Sequence, residues 1–217
     1  MQKTLLILGA TGAVGQQLLQ QALAHADVAR VIAPTRRALT AHIKLQNPIV
    51  DFDALPNDAA WWQVDAALCV LGTTRKIAGS AAAFRRVDYD YVLQAAQYLH
   101  HAATPTLVLN SSLGANAQAS GLYLRTKGEA ERDVRALGFR SLTIVRPSLL
   151  DAGVRPDRRR AEEFGLWLNR HFAGCIPAAW RAVKVERVAA TMLAAALSAA
   201  PGVSVIESAQ MANHEDV

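Results

Sequence analysis

The stretch TLLILGATGAVG, residues 4–15, carries the reading of the fold. An apolar run leads straight into Gly9, Gly12 and Gly15, and the last of these stands in a segment of helical period. A short apolar run without alternation suits a strand buried on both faces. Glycines at its end permit a tight turn and let backbone N–H groups approach a pyrophosphate at the positive end of the following helix. Gly15 would let helix and strand pack closely. A glycine-rich turn also serves as an ordinary tight connection, but one placed after the first strand and before an apolar helix points to a bound dinucleotide.

Working outward, comparable runs recur at TLLIL (4–8), RVIAP (30–34), PIVDF (48–52), ALCVLG (67–72), TLVLN (106–110), LTIVR (142–146) and VSVIE (203–207). Helical patterns fill 13–25, roughly 80–102, 122–137 and 185–199, while the link from the second to the third strand is shorter and less regular. Strands alternating with helices imply a parallel sheet joined by right-handed crossovers. The fold class is therefore α/β: a Rossmann-type, doubly wound parallel sheet of about seven strands. Residues 1–217 read as a single NAD(P)-binding domain, with a small substrate-capping segment at about 149–184.

Composition bounds the function. The 217 residues are 52% hydrophobic and 19% charged, which excludes a disordered chain. The formal net charge is +5. Its arginines are scattered in pairs and not interleaved with aromatics, so the densest run, RPDRRR (155–160), reads as a solvated loop, and no nucleic-acid partner is expected. Cys69 and Cys175 are far apart, and no metal-ligand spacing appears. The amino terminus is too short in apolar residues for a signal peptide. The longest apolar stretch elsewhere, 188–200, falls short of a membrane span. A cytoplasmic protein with no metal and no membrane partner is the expectation.

In doubly wound sheets ligands bind beyond the carboxyl ends of the strands, where strand order reverses. After the second strand, where a carboxylate would bond the ribose of NAD, this chain has Arg36 and Arg37. Guanidinium groups suit a 2′-phosphate, so NADP(H) ranks ahead of NAD(H) as the cofactor. Asp51 follows the third run and either bonds the adenine amine or serves as a turn or cap residue. Gly72, Thr73 and Thr74 stand where the chain must pass cofactor phosphate and ribose. The fifth run ends at Ser111 and Ser112, and the next helix carries Tyr123 and Lys127 one turn apart. A Tyr hydroxyl, with an ordinary pKa near 10, becomes a usable acid and base when an ammonium stands near it. A Ser hydroxyl beside it would hold a substrate oxygen.

On GATGAVG, LGTTR, FRRVDYDYVLQAA, NSSLGA, LYLRTKGEAE, VRPSLL and FAGCIPAAW, the chain resembles an atypical, extended-like short-chain dehydrogenase/reductase. It most resembles the branch of the Tat-interactive oxidoreductase and its bacterial relatives, for which LGTTR followed by RVDYDYV is the specific signature. The resemblance implies Ser112 as the substrate-orienting hydroxyl, with Ser111 the alternative, Tyr123 as the acid/base, and Lys127 as partner of both Tyr123 and the cofactor ribose. It implies a cofactor loop of Gly9, Thr11, Gly12, Ala13, Val14 and Gly15, a 2′-phosphate clamp of Arg36 and Arg37, and a nicotinamide end lined by RPS around Pro147. The implied activity is NADPH-dependent reduction of a small carbonyl compound. The rival is an NADPH-sensing protein that presents a surface to a protein partner. Oligomeric state is open.

Two departures matter. LGTTR stands where many superfamily members carry Asn–Ala–Gly, so an Asn-organised proton relay is not implied. The segment after the sixth run is too short for a sugar-nucleotide epimerase's substrate domain. Trp61 and Trp62 read as packing, His100 and His101 as cations at a helix end, and the amphipathic run 161–172 as a cover for either a substrate pocket or a partner surface.

Overall fold

The computed structural model describes residues 2–151 and 182–212. Its centre is a seven-stranded, all-parallel sheet. The strands are β1 (Lys3–Leu8), β2 (Val28–Ile32), β3 (Leu45–Gln46), β4 (Ala66–Cys69), β5 (Thr106–Asn110), β6 (Ser141–Arg146) and, after two short strands outside the sheet, β9 (Gly202–Glu207). Their spatial order is β3-β2-β1-β4-β5-β6-β9, so the direction of winding reverses between β1 and β4. The two short strands, β7 (Leu150–Asp151) and β8 (Val183–Lys184), form a separate parallel pair.

Burial on both faces explains why the strands do not alternate in hydrophobicity. Leu5, Ile7, Val31, Leu68, Val108 and Val145 face one layer, made of α1 (Ala13–Ala24) and the helix Val185–Ser198. Leu6, Leu8, Ile32, Cys69, Leu109 and Ile144 face the other, made of α4 (Tyr91–His101) and α5 (Leu122–Ala136). Helices on both sides of one parallel sheet make the fold doubly wound. Trp62 is buried in this second layer, its indole N–H donating to the Pro56 carbonyl at 2.6 Å, and the Trp61 ring lies against it tilted by 39°, with ring centroids 4.2 Å apart.

Three elements differ from the sequence expectation. PIVDF (48–52) does not form the third strand. The ladder with β2 lies earlier, at Leu45–Gln46, and 48–52 keeps one isolated bridge from Ile49 to Thr35. Pro48 has no N–H to give a ladder, and the Asn47 amide fills in by donating to the Ala33 carbonyl at 2.6 Å and to Thr35 Oγ1 at 2.8 Å. β2 begins at Val28 and stops short of Pro34. The long helix expected over 80–102 is interrupted: α2 (Arg75–Ala78) and α3 (Ala81–Arg85) come first, then a π-turn, Arg86–Asp90, then α4. The capping segment at 149–184 lies mostly outside the described residues, as do Cys175, RPDRRR and the amphipathic run 161–172.

Candidate active site

The glycine turn is built by backbone against backbone. Gly9 takes φ +90°, and a Cβ there would stand 2.8 Å from the carbonyl of Val70, just past β4. A Cβ on Gly15 would stand 2.0 Å from the Gly9 oxygen. Both positions therefore exclude a side chain, and the close approach joins the ends of β1 and β4 at the point where winding reverses. Gly12 is the N-cap of α1; it offers no capping side chain, and the helix has no acidic residue in its first turn. Thr11 and Gly12 are exposed, Ala13 is half-buried and Val14 is buried. The open helix terminus, with glycines that leave room beside it, fits the pyrophosphate of a dinucleotide.

Around this turn the other expected cofactor residues fall at the same carboxyl edge. Arg36 and Arg37 are exposed after β2, and neither guanidinium makes a hydrogen bond or ion pair among the described residues. Gly72 and Thr73 follow β4. Thr74 is the N-cap of α2, its hydroxyl accepting from the Ile77 N–H at 3.2 Å. Asp51 is exposed and caps the 3₁₀ turn Phe52–Ala54, its carboxylate accepting from the Asp53 N–H at 2.9 Å. Of the two readings open for Asp51, the cap has a visible partner. Pro147 is buried, and its carbonyl accepts from the Leu113 N–H at 2.8 Å.

That last bond anchors the serine loop. Ser111 and Ser112 follow β5, but they are used differently. Ser111 is buried and donates to Glu131 of α5 at 2.5 Å. Ser112 is half-buried, and its hydroxyl makes only a long 3.4 Å contact with the Leu113 carbonyl. Of the two hydroxyls, Ser112 is the one without a short hydrogen bond among the described residues. The loop is then tied to the start of α5 by the Asn116 N–H, which donates to Leu124 at 3.1 Å. It also presses on α5 at Gly128, where a Cβ would stand 2.2 Å from the Ala117 nitrogen.

Tyr123 and Lys127 occupy the first two turns of α5. Tyr123 is 46% exposed and packs on the Phe84 ring at 5.9 Å. Lys127 is buried, and its ammonium pairs with Asp88 Oδ1 at 2.8 Å. Burial pulls the Lys127 pKa down, but the charges of Asp88 and Tyr123 more than offset this and hold it above the ordinary lysine value. The Cys69 thiol beside them is pushed up to about 11 by burial, which leaves it an inert neutral group.

Two residues of this edge, Asp88 and Glu131, were not singled out from the sequence, and a third, Arg146, entered only as the first residue of RPS. Asp88 belongs to the stripe Phe84–Asp88–Val92, a spacing of four along a helix with a carboxylate in the middle of two apolar residues. Glu131 sits on the buried face of α5 with Lys127, Ala130 and Val134. Its partner Arg146 ends β6, donating to Glu131 at 2.6 and 2.9 Å and to Glu207 at 3.0 Å. Charged residues on an otherwise apolar stripe were the available signal. A groove of about 440 Å³, lined by Ala24, His25, Leu193 and Leu197 among others, lies at the far end of α1, away from all these residues.

Fold and site together define a Rossmann-type, NAD(P)-binding protein of oxidoreductase architecture. The chain belongs to the NAD(P)H-binding family, whose model matches residues 9–199. It is 39% identical to Protein HTATIP2 of Rattus norvegicus over 199 residues, covering 88% of this chain and 80% of the relative. It is 35% identical to the mitochondrial protein FMP52 of Lodderomyces elongisporus over 162 residues, covering 69% and 68%. The resemblance read from the motifs thus holds at the level of a homologous chain. Among solved structures, MoeE5 in complex with UDP-glucose and NAD superposes with a TM-score of 0.71 at 19% identity, covering 93% of this chain and 74% of that one. The oxidoreductase ylbE of Lactococcus lactis superposes with a TM-score of 0.68 at 16% identity, covering 99% of each. These two likenesses show the fold. No helix among the described residues is long and apolar enough to cross a membrane.

Proposed function

We propose that this protein is an NADPH-dependent reductase of a small carbonyl compound. The observation that carries the reading is the buried, charge-paired Lys127 one helical turn from an exposed Tyr123, on the sheet edge that also holds the glycine turn. The α1 N-terminus and Gly9, Gly12 and Gly15 would hold the pyrophosphate, and Arg36 and Arg37 a 2′-phosphate. NADPH held there would supply hydride chemistry. Tyr123 gives its hydroxyl proton to the carbonyl oxygen, and Ser112 donates a hydrogen bond that orients that oxygen. The Lys127 ammonium stabilises the phenolate left behind. The glycine turn and the serine loop provide alignment, since holding the reacting groups in register removes much of the entropic barrier. The mitochondrial names of the fungal relatives leave the cytoplasmic location a matter for this same proposal, to be read from where the native protein fractionates.

The reading is tested in two steps. Nicotinamide fluorescence during titration with NADPH and NADH measures the cofactor preference; changing Arg36 and Arg37 to Ala should weaken NADPH binding by roughly tenfold or more and leave NADH nearly unmoved. A carbonyl screen on the wild type then gives a substrate, for which Tyr123→Phe should lower turnover by about a hundredfold or more at unchanged NADPH affinity. Full turnover in that variant would sink the mechanism, and failure of both cofactors to bind would sink the reductase.

A further inference from the structure

We propose that Asp88 is the positioning residue of this site: its carboxylate holds the Lys127 side chain against the Gly72–Thr73 turn, one helical turn from Tyr123. The purpose given to Asp88 rests on the reductase reading; the geometry does not.

Both carboxylate oxygens are engaged, each with a different element. Oδ1 pairs with the Lys127 ammonium at 2.8 Å, and Oδ2 accepts from the Thr73 N–H at 2.8 Å. One side chain therefore joins α5 to the turn after β4. The pair lies directly on that turn, because a Cβ on Gly72 would stand 3.4 Å from Oδ1 and 3.5 Å from the Lys127 nitrogen. Asp88 is 1% exposed, and a buried carboxylate persists only with such partners.

Its inward direction depends on the π-turn Arg86–Asp90, where the Tyr91 N–H reaches back to the Arg86 carbonyl. The turn holds one residue more than an α-turn, and removing that residue would rotate α4 by about 100° relative to α3. Single π-turns inside α-helices cluster at functional sites. Here the turn keeps Val92, Ala95, Ala96 and Leu99 on the sheet while the carboxylate is aimed at Lys127.

The charged and titratable groups that face Lys127 are Asp88 from the π-turn, Tyr123 from its own helix and Cys69 from β4. Burial favours the neutral amine, and Asp88 is the strongest influence opposing it. Without that carboxylate the buried lysine would lose its proton more readily and would no longer be fixed beside the turn. A merely structural role, bridging to the Thr73 N–H, would be served equally by an amide oxygen. Asp88→Asn therefore separates the two roles.

The experiment is a pH titration of the five lysines in the full chain, followed by NMR of ¹³C-labelled lysine side chains, with Lys127 assigned from Lys127→Arg. In the wild type, Lys127 should titrate above the other four. In Asp88→Asn it should titrate lower than in the wild type by roughly one pH unit or more, with the fold intact by circular dichroism. An unchanged Lys127 titration in a folded Asp88→Asn protein overturns the proposal. Should that variant not fold, the wild-type spectrum decides: a Lys127 signal titrating with or below the other lysines overturns the proposal, and one titrating above them supports it. Titration with NADPH on the same samples keeps the two readings apart. A wild type that binds no NADPH defeats the reductase, yet the lysine titration still judges Asp88.

Discussion

On the β1 side of the sheet's carboxyl edge, position is set by main chain against main chain. Gly9 touches the backbone after β4, Gly15 touches Gly9, and no charge is buried there among the described residues. On the β5 and β6 side, position is set by buried charge. Asp88 holds Lys127, and Glu131 gathers Ser111 and Arg146. The first region leaves a helix terminus uncapped by any side chain; the second sets an exposed Tyr123 one turn from a buried ammonium. In the proposed reductase, the difference would follow from the work each region does. A phosphate needs backbone donors and room, which glycine supplies. An acid and base need a fixed local charge, which a low-dielectric pocket sustains only when every charged group has a partner.

That contrast can be broken from either side. The largest loss is expected on the charged side: Glu131→Ala should cost about 3–5 kcal/mol in urea unfolding, because it leaves Arg146 and Ser111 without their shared partner. A loss under about 1 kcal/mol would mean that the network behaves like a surface one. On the glycine side, Gly15→Ala should cost about 1–3 kcal/mol as the turn shifts to admit the methyl group, and NADPH binding should be lost with it. The same test sharpens the comparison at Gly128, where α5 meets the serine loop: stability should fall similarly, since the Cβ would meet the Asn116–Ala117 backbone. The smallest effect is expected at the exposed pair Arg86–Asp53, 3.4 Å apart. Solvent screens it, so Arg86→Ala should stay within about 0.5 kcal/mol of the parent.

The glycine side is legible in the sequence alone. Its signal is local: three glycines, a strand before them and a helix after them lie within twelve consecutive residues. Arg36 and Arg37 are legible as an exposed pair for the same reason, lying in the short loop that follows β2. The third strand is misplaced by sequence because Pro48 and Asn47 change the hydrogen bonding of an apolar run that looks strand-like in isolation. The helix over 80–102 reads as whole because the π-turn adds a single residue, and Phe84, Asp88 and Val92 keep the spacing of four that an uninterrupted helix would also show.

Residue type and spacing by themselves determined the parallel α/β architecture, the glycine turn, the arginines after β2, and Tyr123 and Lys127 on one face of one helix. These rest on patterns that a chain of any tertiary structure would display locally. Which serine is free, what holds Lys127, and how the serine loop is fastened to α5 were decided only by the folded chain. Each depends on groups brought together from distant segments, Asp88 to Lys127, Ser111 to Glu131, Glu131 to Arg146. A buried charge selects its partner by distance in space, and one-dimensional spacing carries no record of that distance.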